Sequence, residues 1–355
     1  MARTFYPLRV ADVRRETSDT VSLALDVPDE LRATFAFSPG QFVGFRVPGP
    51  RGKPVTRSYS ICSGVDDGEL RVVVKHLPGG VFGTLANTTL AVGDVLDTLA
   101  PMGRFTVAVD PSASRRYLGL AAGSGIGPVM SVLRSVLAGE PDSDFTLVYG
   151  NRTAGSTIFR DALCDLKDQY LSRLTLIHLF SREQQSTPLL NGRLTEQKLG
   201  ELASGLLDVA SYDHAFVCGP EPMTVMLREK LRSLGMPPER VHMELFGVHG
   251  APGPDVAAVA GEQDVQLTVT LSGTTSTLAT NRSATVLDAV AAAGMDAPYS
   301  CTGGVCATCR AKVVTGSVEM KVNYALEPWE LDAGFVLTCQ SQPTSDAVTV
   351  DYDAV

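Results

Sequence analysis

The 355-residue sequence predicts a multidomain chain: an antiparallel β-barrel, an α/β domain on a parallel sheet, and a small α+β domain. Three observations carry this expectation. Residues 1–109 hold short β-branched or alternating runs broken by Gly, Pro and Asp, as an antiparallel barrel requires. Residues 110–247 alternate apolar strands with helical patterns, the signature of βαβ units. Residues 263–355 follow a Pro-, Gly- and Ala-rich stretch at 248–262 and open on a hairpin and a helix. In the first segment, residues 20–27, 41–47 and 70–76 read as strands. In the second, 117–122, 145–149, 174–179, 215–218 and 241–245 read as parallel strands joined by helices. Residues 248–262 show no amphipathic period and read as a linker that lets the third domain move. In the third, 265–271 and 277–279 read as a hairpin and 286–293 as a helix.

Composition narrows the class. With 44% hydrophobic and 19% charged residues, the chain can fill several cores. The opening Met-Ala-Arg-Thr-Phe-Tyr-Pro lacks the pattern of a signal peptide, and no apolar run approaches the ~20 residues of a membrane span. The expected compartment is the cytoplasm, with no membrane partner. A net charge of −9 and a pI near 5.1 argue against nucleic acid. From Gln263 onward there are ten acidic and four basic residues, a net of −6. That face either steers toward a basic partner or is simply solvated.

Four of the seven cysteines carry the strongest signal. Cys301, Cys306 and Cys309 form C-x4-C-x2-C, and Cys339 follows after 29 intervening residues. This is the ligand spacing of a plant-type [2Fe-2S] centre. Gly303 and Gly304 let the loop turn its N–H groups inward. A structural zinc site is the competing reading, but it favours paired C-x2-C units with a shorter gap. Cys62, Cys164 and Cys218 are scattered and read as reduced thiols. His76, His178, His214, His242 and His249 show no metal spacing, and Trp329 reads as a packing residue.

In the middle segment, Ala122-Gly-Ser-Gly-Ile-Gly-Pro128 follows a strand and opens a helix, where N–H groups and the helix dipole can hold a pyrophosphate. A tight strand-to-helix turn without a ligand is the plainer alternative. Cys218-Gly-Pro-Glu-Pro-Met223 sits at the end of a later strand, the ligand edge of an α/β sheet. Ser181-Arg182 could meet an adenosine 2′-phosphate, the group that distinguishes NADPH from NADH. In the first segment, Arg57-Ser58-Tyr59-Ser60 offers a cation, a ring and a hydroxyl suited to a flavin, although four residues alone carry little weight.

Together these runs resemble the ferredoxin-NADP reductase superfamily fused to a plant-type ferredoxin, and the resemblance covers essentially the whole chain. It implies a flavin β-barrel, a nicotinamide α/β domain and a β-grasp ferredoxin domain, with FAD, NADPH and a [2Fe-2S] cluster as cofactors. FMN in place of FAD stays open, as does NADH in place of NADPH. Arg57, Tyr59 and Ser60 match the flavin motif R-x-Y-S. Val74-Lys75 and Gly80-Val81-Phe82 resemble the segment along the flavin and its phosphates, and Pro101-Met-Gly-Arg-Phe105 matches the turn that closes the flavin domain. Gly123, Gly125 and Pro128, with Ile126 and Gly127 between them, match the nicotinamide loop. Cys218-Gly219-Pro220 matches the motif at the nicotinamide ring. Glu244-Leu-Phe246 matches the acidic-x-aromatic end, where Phe246 would shield the flavin until nicotinamide displaces it. Ser181-Arg182 matches a 2′-phosphate stretch, and Arg152 closes the run Val148-Tyr-Gly-Asn-Arg152.

Three departures stand out. Gly83 replaces a common phosphate-binding Ser, leaving that contact to backbone N–H or Thr84. Gly127 replaces a common Thr or Ala. Ala307 replaces a common Ser, which implies a somewhat lower cluster potential.

The domain order, with Asn323-Tyr-Ala-Leu-Glu327 and Phe335-Val-Leu-Thr-Cys-Gln-Ser341, is most similar to reductase components of multicomponent di-iron monooxygenases. Relatives serve ring-hydroxylating and steroid-hydroxylating oxygenases. The resemblance implies that Ser60 and Glu244 orient the flavin and manage its proton, or only position it, while Cys218 packs against nicotinamide. A non-catalytic redox sensor is the alternative of a different class; it would have no use for a hydride site.

Overall fold

The computed structural model describes residues 4–48, 54–245, 254–299, 302–304 and 307–354. The chain divides into two compact units, Phe5–Phe246 and Gly247–Val355.

The first unit opens with β1 (Phe5–Thr17), β2 (Thr20–Asp26), β3 (Phe42–Pro48), β4 (Pro54–Ser60), β5 (Leu70–Lys75), α1 (Val81–Thr88) and β6 (Val95–Leu99). The strands pair antiparallel in the order β4-β3-β6-β1-β2-β5. Ile61, just past β4, bridges to Val72 of β5. The two outer strands therefore meet, and the sheet closes into the expected barrel. Leu8, Val10, Leu23, Val43, Phe45, Val72 and Phe82 fill its interior. Arg71 is buried on β5 and pairs with Asp12 at 2.6 Å and Glu69 at 2.8 Å, so no unpaired charge is enclosed there.

The same unit continues with β7 (Arg116–Ala122), α2 (Ile126–Gly139), β8 (Asp144–Asn151), α3 (Arg160–Gln169), β9 (Leu174–Phe180), α4 (Glu196–Ala203), β10 (His214–Gly219), α5 (Glu221–Ser233) and β11 (Val241–Leu245). These strands form one parallel sheet in the order β11-β10-β7-β8-β9. Alternate residues of β7 serve opposite layers. Tyr117 and Ala121 join α2 and α3 around Val129, Leu133 and Leu163, whereas Leu118 and Leu120 join α4 and α5 around Leu199, Leu227 and Leu231. The chain order reverses between β7 and β10, so the carboxyl ends of these two strands flank the crevice where open α/β sheets bind ligands.

The second unit comprises β12 (Val265–Leu271), β13 (Thr274–Thr280), α6 (Val286–Ala292), β14 (Arg310–Thr315), β15 (Val318–Met320), α7 (Pro328–Asp332), β16 (Phe335–Leu337), β17 (Ser341–Pro343) and β18 (Ala347–Asp351). Its main sheet runs β13-β12-β18-β14-β16, with β12 and β18 parallel and the other pairs antiparallel. α6 begins on a reciprocal cap between Thr285 and Asp288 and buries Val286, Leu287 and Val290 against the sheet, completing a β-grasp.

Two expectations need correction. Within the stretch read as linker, residues 248–253 lie outside the described residues, but Val256–Val259 forms a short 3-10 turn. Val259 is buried in the core of the second unit, and Asn281 Nδ2 donates to the Ala258 carbonyl at 3.0 Å. A Pro- and Gly-rich composition concealed a stretch that packs. Trp329, expected to pack, is 62% exposed, because α7 turns Glu330 inward instead.

Candidate functional site

The strand register assembles the site. β10 places Cys218 beside Ala121 of β7 and Glu244 of β11. Glu244 then meets the barrel: Ser60 Oγ at the end of β4 donates to Glu244 Oε2 at 3.4 Å. Two residues 184 positions apart thus face each other where the barrel and the parallel sheet join. Desolvation pushes the Glu244 carboxyl up to about 8, opposed in part by the Ser60 hydroxyl. Burial also raises the Cys218 thiol, with the Glu244 charge adding to it. Cys218 is therefore a protonated packing group rather than a thiolate nucleophile.

Close approaches lock the loop at residues 123–128 into this corner. A Cβ on Gly125 would lie 2.2 Å from the Cys218 carbonyl oxygen, and one on Gly127 would lie 2.8 Å from Val73 Cγ1 and 3.6 Å from Ser60 Cβ. Gly125 is thus pressed onto β10 and Gly127 onto the barrel, and at these two positions a side chain would force a shift. Tyr149, fully buried on β8, donates its hydroxyl to the Gly123 carbonyl at 2.9 Å. The sequence places Tyr149 in an apolar strand without revealing this task. Ile126 and Pro128 are buried in the first turn of α2, and Gly219 and Pro220 lead into α5.

The barrel residues divide by orientation. Arg57 is exposed and donates to the neighbouring Thr56 carbonyl. Ser58 and Tyr59 are partly covered, and burial pushes the Tyr59 phenol up to about 12. The Tyr59 ring lies 4.9 Å from that of Phe82, which stacks on Phe45. Val74 and Phe82 have their side chains inside the barrel, so they can face a cofactor only through their main chain. Lys75 is held by Asp19 at 3.1 Å. Gly80 precedes α1 and Val81 opens it. The Thr84 hydroxyl donates to the Gly80 carbonyl at 2.7 Å, so its proton is already engaged. A Cβ on Gly83 would lie 2.9 Å from the Lys75 carbonyl oxygen, so the departure at Gly83 goes with a closer approach of α1 to β5.

At the far end of the crevice, the Ser181 N–H donates to the Asn151 carbonyl at 3.0 Å and the Arg182 N–H to the Arg152 carbonyl at 2.8 Å. Ser181, Arg182 and Arg152 are exposed, and neither guanidinium pairs with a carboxylate among the described residues. Phe246 lies outside the described residues.

These features fit the expected groups. Neither α1 nor α2 has a side-chain cap; at α1 this leaves first-turn N–H groups for phosphate oxygens, whereas in α2 the Ile126 N–H already donates to the Gly123 and Ser124 carbonyls and Pro128 has none. In the second unit, Cys309 and Cys339 are buried, unbridged and share one core; Cys301 and Cys306 lie outside the described residues. Thr302, Gly304 and Ala307 all take positive φ, winding the loop as inward N–H groups need. Arg310, next to Cys309, pairs at 2.6 Å with Glu330, which is fully buried. That pair does not announce itself in the sequence.

Three family models cover the chain: an oxidoreductase FAD-binding domain at residues 7–107, an oxidoreductase NAD-binding domain at 120–229 and a 2Fe-2S iron-sulfur cluster binding domain at 269–344. The chain is 42% identical to a component of the 1,2-phenylacetyl-CoA epoxidase of Escherichia coli, over 99% of this chain and 98% of that protein. It is 36% identical to the ferredoxin reductase component of 3-ketosteroid-9-alpha-monooxygenase from Rhodococcus rhodochrous, over 97% and 96%. Phthalate dioxygenase reductase shares the fold, with a TM-score of 0.54 at 22% identity and 98% coverage of both chains. With all three modules in this order, the chain belongs to the ferredoxin-NADP reductase superfamily fused to a plant-type [2Fe-2S] ferredoxin, and is an NAD(P)H-dependent flavin iron-sulfur oxidoreductase of the kind that serves as an oxygenase reductase component.

Proposed function

We propose that the chain is the NADPH-dependent reductase component of a di-iron phenylacetyl-CoA epoxidase in phenylacetate degradation, working in the cytoplasm. The identity to the Escherichia coli protein, sustained end to end, supports this partner. No helix among the described residues is long and apolar enough to cross a membrane. The observation that carries the chemistry is the corner formed by Ser60, Glu244, Cys218 and residues 123–128. FAD and the [2Fe-2S] cluster, when bound, convert a two-electron hydride into single electrons.

The chain's own residues do the rest. The turn at residues 123–128 holds the nicotinamide pyrophosphate, and Arg152, Ser181 and Arg182 bind the 2′-phosphate. Arg57 and the N–H groups at Gly80, Val81 and Phe82 hold the flavin pyrophosphate. Cys218, Gly219 and Pro220 form the floor under the nicotinamide, and Phe246 covers the flavin until nicotinamide arrives. Glu244 holds a proton near neutral pH while its Oε2 accepts from the Ser60 hydroxyl, at the seam where hydride crosses. Cys301, Cys306, Cys309 and Cys339 ligate the cluster. We assign residues 1–109, 110–247 and 263–355 to the flavin, nicotinamide and ferredoxin domains.

A second reading, an NADH-dependent reductase of a steroid or Rieske-type oxygenase, is favoured by the 36% identity to the ketosteroid component. Anaerobic titration with NADPH and with NADH, followed by flavin absorbance and cluster EPR, tests the cofactor. Turnover with the purified epoxidase oxygenase, against none with a ketosteroid oxygenase, tests the partner. Cluster reduction by NADH alone, or turnover only with the steroid system, overturns the first reading.

A further inference from the structure

β14 and β16 pair with Arg310 opposite Leu337. The next pair along this register is Cys309 and Thr338, the residue before Cys339. Thr338 grips Cys309 twice: its N–H donates to the Cys309 carbonyl oxygen at 3.2 Å, and its hydroxyl donates to the same oxygen at 2.9 Å. Thr338 is fully buried. Its Oγ1 in turn accepts a hydrogen bond from the Tyr352 phenol at 2.9 Å. Tyr352 follows β18, is anchored through its N–H to the Thr270 carbonyl at 3.0 Å, and packs against the core that holds both Cys309 and Cys339.

We propose that Tyr352 and Thr338 form a hydroxyl relay that positions Cys309 and raises the reduction potential of the cluster it ligates. The inference rests on the [2Fe-2S] assignment. Both O–H dipoles point their positive ends along the chain toward Cys309, and aligned hydrogen bonds in a low-dielectric interior reinforce one another. Such a field favours the electron-rich, reduced cluster over the oxidised one. The relay also joins the two halves of the ligand set, since Thr338 is bonded to one cysteine and adjacent in sequence to another. Ala307 removes a hydroxyl from one side of the cluster loop; Thr338 and Tyr352 supply two from the other. Both are positioning residues, since they act through Cys309.

The test is an EPR-monitored redox titration of the full-length holoprotein. Wild type must first show the [2Fe-2S] signal; its absence would sink the family assignment rather than the relay. Tyr352→Phe is expected to lower the cluster potential enough to cut the reduced-to-oxidised ratio about threefold at the poise where wild type is half reduced, with the flavin midpoint unchanged. Thr338→Ser, which keeps the hydroxyl, is expected to titrate like wild type. Thr338→Val is expected to titrate at or below Tyr352→Phe, and adding Tyr352→Phe to it should cause no further fall. A native cluster potential in Tyr352→Phe would overturn the proposal, even if that variant melted earlier or released iron faster, because those losses need only packing. If Thr338→Val does not retain its cluster, Tyr352→Phe and Thr338→Ser decide.

Discussion

Replacing Gly125 by alanine should uncouple nicotinamide binding from flavin reduction. The added Cβ would stand 2.2 Å from the Cys218 carbonyl oxygen, 2.5 Å from its carbon and 2.8 Å from the Gly219 nitrogen. All three are main-chain atoms of β10, which is hydrogen-bonded on both sides by β7 and β11, so the strand cannot yield. Ordinary contact begins near 3.4 Å; the difference, 3.4 − 2.2, means that the loop must retreat by about 1.2 Å. Overpacking of this kind costs about 1–3 kcal/mol of stability, and a displacement of about 1 Å at a reacting centre costs on the order of 10²-fold in rate. Anaerobic stopped-flow mixing with NADPH measures the flavin reduction rate, while FAD content and chemical reduction of the cluster serve as controls. Gly123→Asn provides the contrast. Gly123 has φ +54 with open space around its Cβ position, and Asn tolerates that conformation, so this variant should reduce at close to the wild-type rate. Wild-type kinetics in Gly125→Ala, or equal damage in both variants, would refute the argument from close packing.

Four further outcomes follow from the site and the cores. Glu244→Gln should remove an inflection near pH 8 from the pH profile of flavin reduction; because the folded-state pKa is raised, it should also abolish a loss of apo-protein stability as pH rises from about 4.5 through 8, read by thermal melts. His242 is depressed to about 4 by burial and by His214, 3.1 Å away, so its contribution is intact above about 6.5 and lost as pH falls through 4; His242→Gln should flatten the drop in melting temperature over that window. Glu330→Gln strands Arg310 and should cost about 3 kcal/mol in chemical denaturation of the cluster domain, and a cost under about 1 kcal/mol would show that the pair is well solvated. Arg182→Ala should raise KM for NADPH by about 10-fold or more while leaving KM for NADH unchanged, the loss of one charge-assisted contact.

The features legible in the sequence are those written in local pattern. The C-x4-C-x2-C run, the five apolar strands of the parallel sheet and the turn-opening glycines each depend on neighbours within a few residues, with Cys339 the one distant addition. β1 escapes such a reading because Asp12, Arg14 and Arg15 interrupt its alternation, and among its apolar residues only Leu8 and Val10 are fully buried. The buried Glu330 gives no signal because glutamate on a short, polar helix reads as solvated; only its distant partner Arg310 makes burial tolerable. Tyr352 and Thr338 are silent for a similar reason, since their pairing depends on a register fixed by β14, β16 and β18 together. The meeting of Ser60 with Glu244 is reachable only by resemblance, because no local rule joins residues so far apart.

The glycine at position 127 has a bearing on how such reductases can be rebuilt. Because α2 begins where a methyl group would strike Val73, the flavin barrel and the nicotinamide sheet are cut to a common seam. A chimaera that takes its barrel from one relative and its nucleotide sheet from another, with a Thr or Ala at position 127, would inherit a misfit against Val73 and Ser60. Residues 60, 73 and 127 should therefore be exchanged as a set, and a domain swap that ignores them should yield two sound domains that pass electrons poorly.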